Sequence, residues 1–238
     1  MKSLRTRSGP FAEQPYYEPH EIDRICNEEL RAVELYPSAP EPIRIERFIE
    51  KRFRLAVVYD DLPPGVLGYT SVGRKGVESV VVSRTLCDDG TAVAERRVNT
   101  TLAHEAGHGL LHGHLFMLEE PPASLFGAGS SAEQGRILCR DDAVAVGSTG
   151  SVKRYDGRWW EFQANQAIGG LLLPKQLVER SVSRFLIARG GLAQTVLPDD
   201  QREAAVRHVA HTFDVNPVVA RIRLEGMYSG QKTRQMML

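Results

Sequence analysis

Three cysteines, two tryptophans, few aromatic side chains and no surplus of either charge leave several protein classes with little support in this 238-residue sequence. Cys26, Cys87 and Cys139 are odd in number and widely scattered, which speaks against a disulfide framework and for a reducing compartment. Lys plus Arg and Asp plus Glu balance at 30 each, so the whole molecule has no electrostatic pull toward nucleic acid or an anionic membrane. The longest apolar runs, residues 55–59 and 168–173, fall far short of the roughly 20 residues that a spanning helix needs. The basic opening MKSLRTRSGP has no apolar stretch behind it and does not read as a secretory signal, so a cytoplasmic protein without membrane contact is expected. With 42% hydrophobic and 25% charged residues, the chain can bury the core of one domain, alone or with a small appendage.

Three segments follow from the patterning. Residues 1–40 read as an N-terminal extension and a leading helix, in which Ile22, Ile25, Cys26 and Val33 recur at helical spacing up to the breaker PSAPEP. Residues 41–190 read as the main domain. A short helix around Ile45, Phe48 and Ile49 leads into β-rich runs at 53–59, 66–72 and 77–83, separated by PPG and GRKG, for which an antiparallel meander is the simplest arrangement. The pattern is helical from about 95 to 112, then rich in Gly, Ser, Ala and Pro over 119–158, a long connection without sustained periodicity. Helices are predicted over 158–173 and 174–187, the second opened by Pro174. Residues 191–238 follow a Gly-Gly pair as a C-terminal block. The expected fold class is α+β: a small antiparallel meander packed on the 95–112 helix, then a helical C-terminal half with a helix-turn-helix-like tail.

TLAHEAGHGLLH, residues 101–112, concentrates the chemistry. His104 and His108 are four apart, so on a helix both imidazoles leave from one face and can bind one ion through neutral nitrogens. Glu105 beside them can reach a water on that ion without becoming a ligand, which is what hydrolysis of a peptide bond requires. Zn2+ suits the task because it acidifies water, polarises a carbonyl and has no redox side reactions. H-E-x-x-H arises by chance in roughly one ordinary chain in a hundred. Here it falls on a predicted helix directly after β-rich runs, the order of a zincin, with Leu102, Leu110 and Leu111 flanking it as core anchors.

A catalytic zinc site takes three protein ligands and leaves the fourth position to water. His114 has the metzincin spacing, but Leu111 stands where that pattern turns on a glycine, and no Met lies between 118 and 226 to form its methionine turn. Glu161, near the start of WWEFQANQAIGGLLLP (residues 159–174), is the better third ligand. Asn165 lies four residues on and shares its face, where an amide oxygen can accept a hydrogen bond from a ligand imidazole. The same stretch also reads as an amphipathic core helix through Trp159, Phe162, Ile168 and Leu172, and both readings can hold together.

These two motifs, in this order, resemble the ImmA/IrrE metallopeptidases over roughly residues 42–181; residues 159–174 are similar to that family's E-x-x-A-N-x-F-A-x-x-L-L-x-P signature. The resemblance implies a zinc endopeptidase with His104, His108 and Glu161 as ligands and Glu105 as general base. It further implies a protein partner, a repressor-type transcription factor with a helix-turn-helix, cleaved in stress response, mobile-element transfer or phage control. Ala167 and Ile168 replace the signature's Phe-Ala, a change of packing more than of chemistry, and the connection between the motifs is longer than typical.

In the C-terminal block Val206, Val209, Ala210 and Phe213 form one apolar stripe and Val215, Val218, Val219 and Ile222 another, with Asn216 and Pro217 placed to start the second helix. From residue 202 to 234 six Lys or Arg face three acidic residues, a surplus too mild to argue for DNA, so a structural or protein-binding role outranks nucleic-acid contact. His112, at the end of the motif helix, reads as a cation suited to the helix dipole. His208 and His211 read as exposed, the Trp159 and Trp160 pair as core or cleft lining, and Cys87 and Cys139 as too isolated for a CxxC site. Two alternatives stay open beside the peptidase: a zincin-like sensor or binding protein without turnover, and a helix-turn-helix regulator carrying a metal-bound domain. For a peptidase, residues 77–83 would offer the strand edge for an extended substrate, and the C-terminal helix pair first, or the 119–158 connection, or both, would restrict access or recruit one partner.

Overall fold

Pro19 in the first turn and a reciprocal cap between Glu18 and Glu21 start helix α1 (Pro19–Ala32), whose Ile22, Cys26 and Leu30 form a buried stripe at intervals of four. The computed structural model describes residues 2–5, 13–73, 75–118, 136–140, 159–189 and 194–228. Ahead of α1 lie two paired strands, β1 (Lys2–Arg5) and β2 (Glu13–Tyr16). The fold is α+β.

Helix α2 (Ile45–Phe53) buries Ile45, Phe48 and Ile49 and stops at Arg54, which takes the left-handed conformation at φ 60°. That stop corrects the first expected β-run: Phe53 belongs to the helix, and strand β3 (Val58–Asp60) is only three residues long. Strands β4 (Val66–Gly73) and β5 (Gly76–Ser83) form an antiparallel hairpin closed at Gly73 and Gly76. The expected meander is not formed. β3 pairs parallel to β5, and β6 (Arg136–Arg140) pairs antiparallel to β4, giving a mixed sheet in the order β3-β5-β4-β6. The chain crosses from β3 to β4 past the position of β5, which leaves the outer side of β5 for β3. Two further corrections follow. Residues 77–83 are an interior strand rather than an edge, and the 119–158 connection contains a strand, its other residues lying outside those described. Val80, Val81 and Val82 are all buried, as befits a strand covered on both faces.

After α3 (Arg84–Asp88), helix α4 (Ala92–Leu111) packs across β4 and β5, and α5 (Gly113–Leu118) follows it. Helix α6 (Trp159–Leu172) lies against both α4 and α1. The next helix, α7 (Lys175–Val182), is shorter than predicted; Pro174 is its N-cap, and a 3-10 turn at Ser183–Phe185 leads into the paired strands β7 (Ile187–Arg189) and β8 (Gln194–Val196). The chain continues through α8 (Asp199–Thr212) and α9 (Pro217–Met227). Asn216 stands at the N-cap of α9, but its amide reaches 3.5 Å to Val93 O instead of capping.

Residue 191 marks no break in the core. Val206 and Val209 of α8 and Leu224 of α9 belong to one apolar cluster with Leu30, Phe48, Val82, Leu102 and Leu171. Arg223 of α9 donates from Nε to Leu173 O at 3.0 Å and pairs with Asp23 of α1 at 2.9 Å, both side chains largely buried. No helix among the described residues is long and apolar enough to cross a membrane.

Candidate metal centre

Thr91 begins α4 by accepting the Ala94 amide on its hydroxyl at 3.2 Å, and the helix then enters the interior, so that residues 100 to 108 are all buried. Two glycines permit this. A Cβ on Gly107 would lie 2.8 Å from Ala167 Cβ and 3.2 Å from Ala164 O, so α4 and α6 meet backbone to backbone there. Ala167, one of the two departures from the signature that residues 159–174 resemble, is therefore the residue facing Gly107. A Cβ on Gly68 would lie 2.8 Å from Val81 O of β5 and 2.9 Å from Thr101 Cγ2, so the bare glycine sets β4 directly against the Thr101 side chain of α4.

This packing brings together the residues singled out in the two motifs. His104 Nε2 and His108 Nε2 are 2.9 Å apart, and Glu161 sets Oε2 3.2 Å from the first and Oε1 3.7 Å from the second. The Oε2 contact lacks the direction of a hydrogen bond, and that oxygen is buried without a hydrogen-bond partner. Asn165 Oδ1 lies 3.0 Å from His104 Nδ1. An amide oxygen only accepts, so His104 donates from Nδ1 and its Nε2 keeps an electron pair. Around a tetrahedral zinc with bonds of about 2.0–2.1 Å, ligand atoms sit roughly 3.3 Å apart. The three separations bracket that value, and the buried His104, His108 and Glu161 group can hold a metal ion. His114, on α5, does not belong to the group.

Glu105 is fully buried beside this group without being part of it. Its Oε2 lies 2.6 Å from the Thr70 hydroxyl, which is also 3.0 Å from the Glu105 backbone carbonyl, while Oε1 has no partner. Thr70 has one proton for two acceptors. It serves the carboxylate when Glu105 is ionised and the backbone carbonyl when Glu105 itself donates. Burial pushes the Glu105 carboxyl up to about 8, against the opposing pull of His104 and the Thr70 hydrogen bond. Burial likewise drives His108 down to about 4, so it is neutral near pH 7. For Glu161, burial works against its charge but the two neighbouring imidazoles outweigh it and hold the carboxyl well below the usual range.

His112 differs from its expected role. It is fully buried, and burial first, then the neighbouring His108, keeps its pKa well below that of a free imidazole, so it brings no cation to the helix end. Its Nδ1 lies 3.1 Å from His108 Nδ1, its Nε2 lies 3.0 Å from Gln163 Oε1, and Trp159 meets its ring edge-on at 5.3 Å. Thr70, His112 and Gln163 are the site residues that sequence reasoning missed. A signal existed for one of them: His104, His108 and His112 recur every four residues, a single-faced ladder that runs past the two candidate ligands. Of the remaining histidines, His211 is exposed as expected, whereas His208 is partly covered and lies 3.0 Å from an Arg184 nitrogen.

Compared with known proteins, the chain matches no family model, and no curated protein is detectably similar to it.

Proposed function

We propose that this chain is a zinc-dependent endopeptidase with a zincin-like fold, similar to the ImmA/IrrE metallopeptidases, whose substrate is a protein of the helix-turn-helix repressor type. The observation that supports the reading is the convergence of His104 Nε2, His108 Nε2 and the Glu161 carboxylate beside a Glu105 oxygen that has no partner. These three side chains would hold Zn2+, which when bound supplies a Lewis acid that polarises a carbonyl and acidifies water. Glu105 takes the proton of the attacking water on Oε1 while the Thr70 hydroxyl holds Oε2. As the C–N bond breaks, Glu105 returns that proton to the leaving amine. With one oxygen held by Thr70 and the other unpaired, the carboxylate is placed to take up that proton and release it.

Elemental analysis should give about one zinc per chain, as three ligands plus an open position imply. Glu161→Ala should lose it and His114→Ala should keep it; the reverse pattern would overturn the ligand set. Where a helix-turn-helix repressor is encoded next to this protein, mixing it with the zinc-loaded chain should yield two fragments by mass spectrometry. An intact repressor after prolonged incubation would favour a binding protein without turnover.

A further inference from the structure

Gln163 and His112 take no part in the reaction proposed above, yet both are almost wholly buried; His112 contacts His108 directly, and Gln163 contacts His112. Gln163 lies two residues beyond Glu161 on α6, and its Nε2 donates to the Pro15 carbonyl of β2 at 2.8 Å. A carbonyl oxygen only accepts, so this contact orients the amide and leaves Oε1 facing His112 Nε2. His112 Nε2 must then be the donor. A neutral imidazole carries one proton, so His112 Nδ1 is bare and accepts from His108 Nδ1 at 3.1 Å. By the same rule the His108 ring proton sits on Nδ1, and Nε2, which faces His104 and Glu161, is left with its electron pair.

We infer that the Pro15 carbonyl, Gln163 and His112 form a positioning relay that fixes the ring proton of His108 on Nδ1 and so keeps Nε2 available to a metal. The inference rests on the metal-centre reading and extends it to two residues that do not touch the ion and to the N-terminal strand β2. Asn165 gives His104 its tautomer in one step; His108 obtains the same state in three, from a main-chain oxygen outside both motifs. Without Gln163 Oε1, His112 is free to take the other tautomer and present an N–H to His108. The His108 proton would then move to Nε2 and block the ligand position.

The test combines ring-proton assignment with zinc affinity. In metal-free wild-type protein, long-range proton–nitrogen correlation spectra should place the proton of His108 on Nδ1 and that of His112 on Nε2. Competition with a chelator should show zinc affinity falling about 10- to 100-fold in Gln163→Leu and His112→Leu, the usual effect of losing a partner behind a metal ligand. His112→Gln should stay near wild type, because its amide oxygen still accepts from His108 Nδ1. A proton on His108 Nε2 in the wild type would overturn the relay, as would wild-type affinity in Gln163→Leu. Equal losses in His112→Gln and His112→Leu would also overturn it, assigning the ring a packing role. If the leucine variants do not fold, the wild-type spectra decide. Zinc uptake absent from the wild type would overturn the metal centre instead, and the ring-proton assignment would still judge the relay.

Discussion

Helix α4 and the C-terminal pair α8 and α9 are built from similar local signals but place their polar residues in opposite environments. In α4 the polar face is interior: Thr101, His104, Glu105 and His108 are buried, each polar group has to find a partner, and the ones left over define the site. In α8 and α9 the apolar stripes Val206, Val209, Ala210, Val219 and Leu224 are buried, while Glu203, Arg207 and Glu225 face outward. The two helix-end histidines sharpen the contrast. His112 at the end of α4 is buried between His108 and the Gln163 amide; His211 in the last turn of α8 is exposed. The polar groups that α4 buries converge on the candidate metal centre, whereas what α8 and α9 bury is chiefly an apolar stripe, with the Arg223–Asp23 pair beside it.

The sharpest way to break the contrast is at Glu105. Glu105→Gln keeps the size and the Thr70 contact but removes the base, so zinc content should persist while cleavage falls at least about 100-fold. Equal turnover in the two proteins would remove Glu105 from the mechanism. On the packing side, Leu224→Ala should cost about 2–5 kcal/mol, the range for truncating a buried leucine. Because α9 shares the core of the site, tryptophan fluorescence from Trp159 and Trp160 and far-ultraviolet dichroism should both shift to lower temperature together. A fluorescence transition left in place would make the helix pair an independent unit. Thr91→Ala should lower stability by about 1 kcal/mol through loss of the α4 cap, read from denaturant midpoints, with zinc stoichiometry unchanged. The smallest effect belongs to His211→Ala, expected within about 0.5 kcal/mol of wild type in the same titration and without effect on zinc affinity.

Residues 101–112 and 159–174 carried the local signals: a four-residue histidine spacing, a carboxylate four residues ahead of an amide, and helical patterning around both. These depend on helix periodicity alone, which is why α1, α2, α4 and α6 fall close to their predicted ranges. The antiparallel meander failed because strand order depends on pairing partners distant in the chain. β6 comes from a stretch with no periodicity of its own, and β3 is too short to declare which neighbour it joins. Residues 77–83 were expected at a strand edge, although the unalternating Val80, Val81 and Val82 form the pattern of a strand covered on both faces.

What the sequence determined by itself is the set of donors on each helix face, since residues four apart must project together from an α-helix. Which faces meet was decided by the tertiary structure. Gly107 against Ala164 and Ala167 brings Glu161 to the two imidazoles, and Gly68 lets Thr70 reach Glu105. The state of His108 was also settled only there. A histidine's free nitrogen depends on which partner holds its proton, and that partner is reached through His112 and Gln163 from Pro15, 93 positions away in the chain by the difference of 108 and 15.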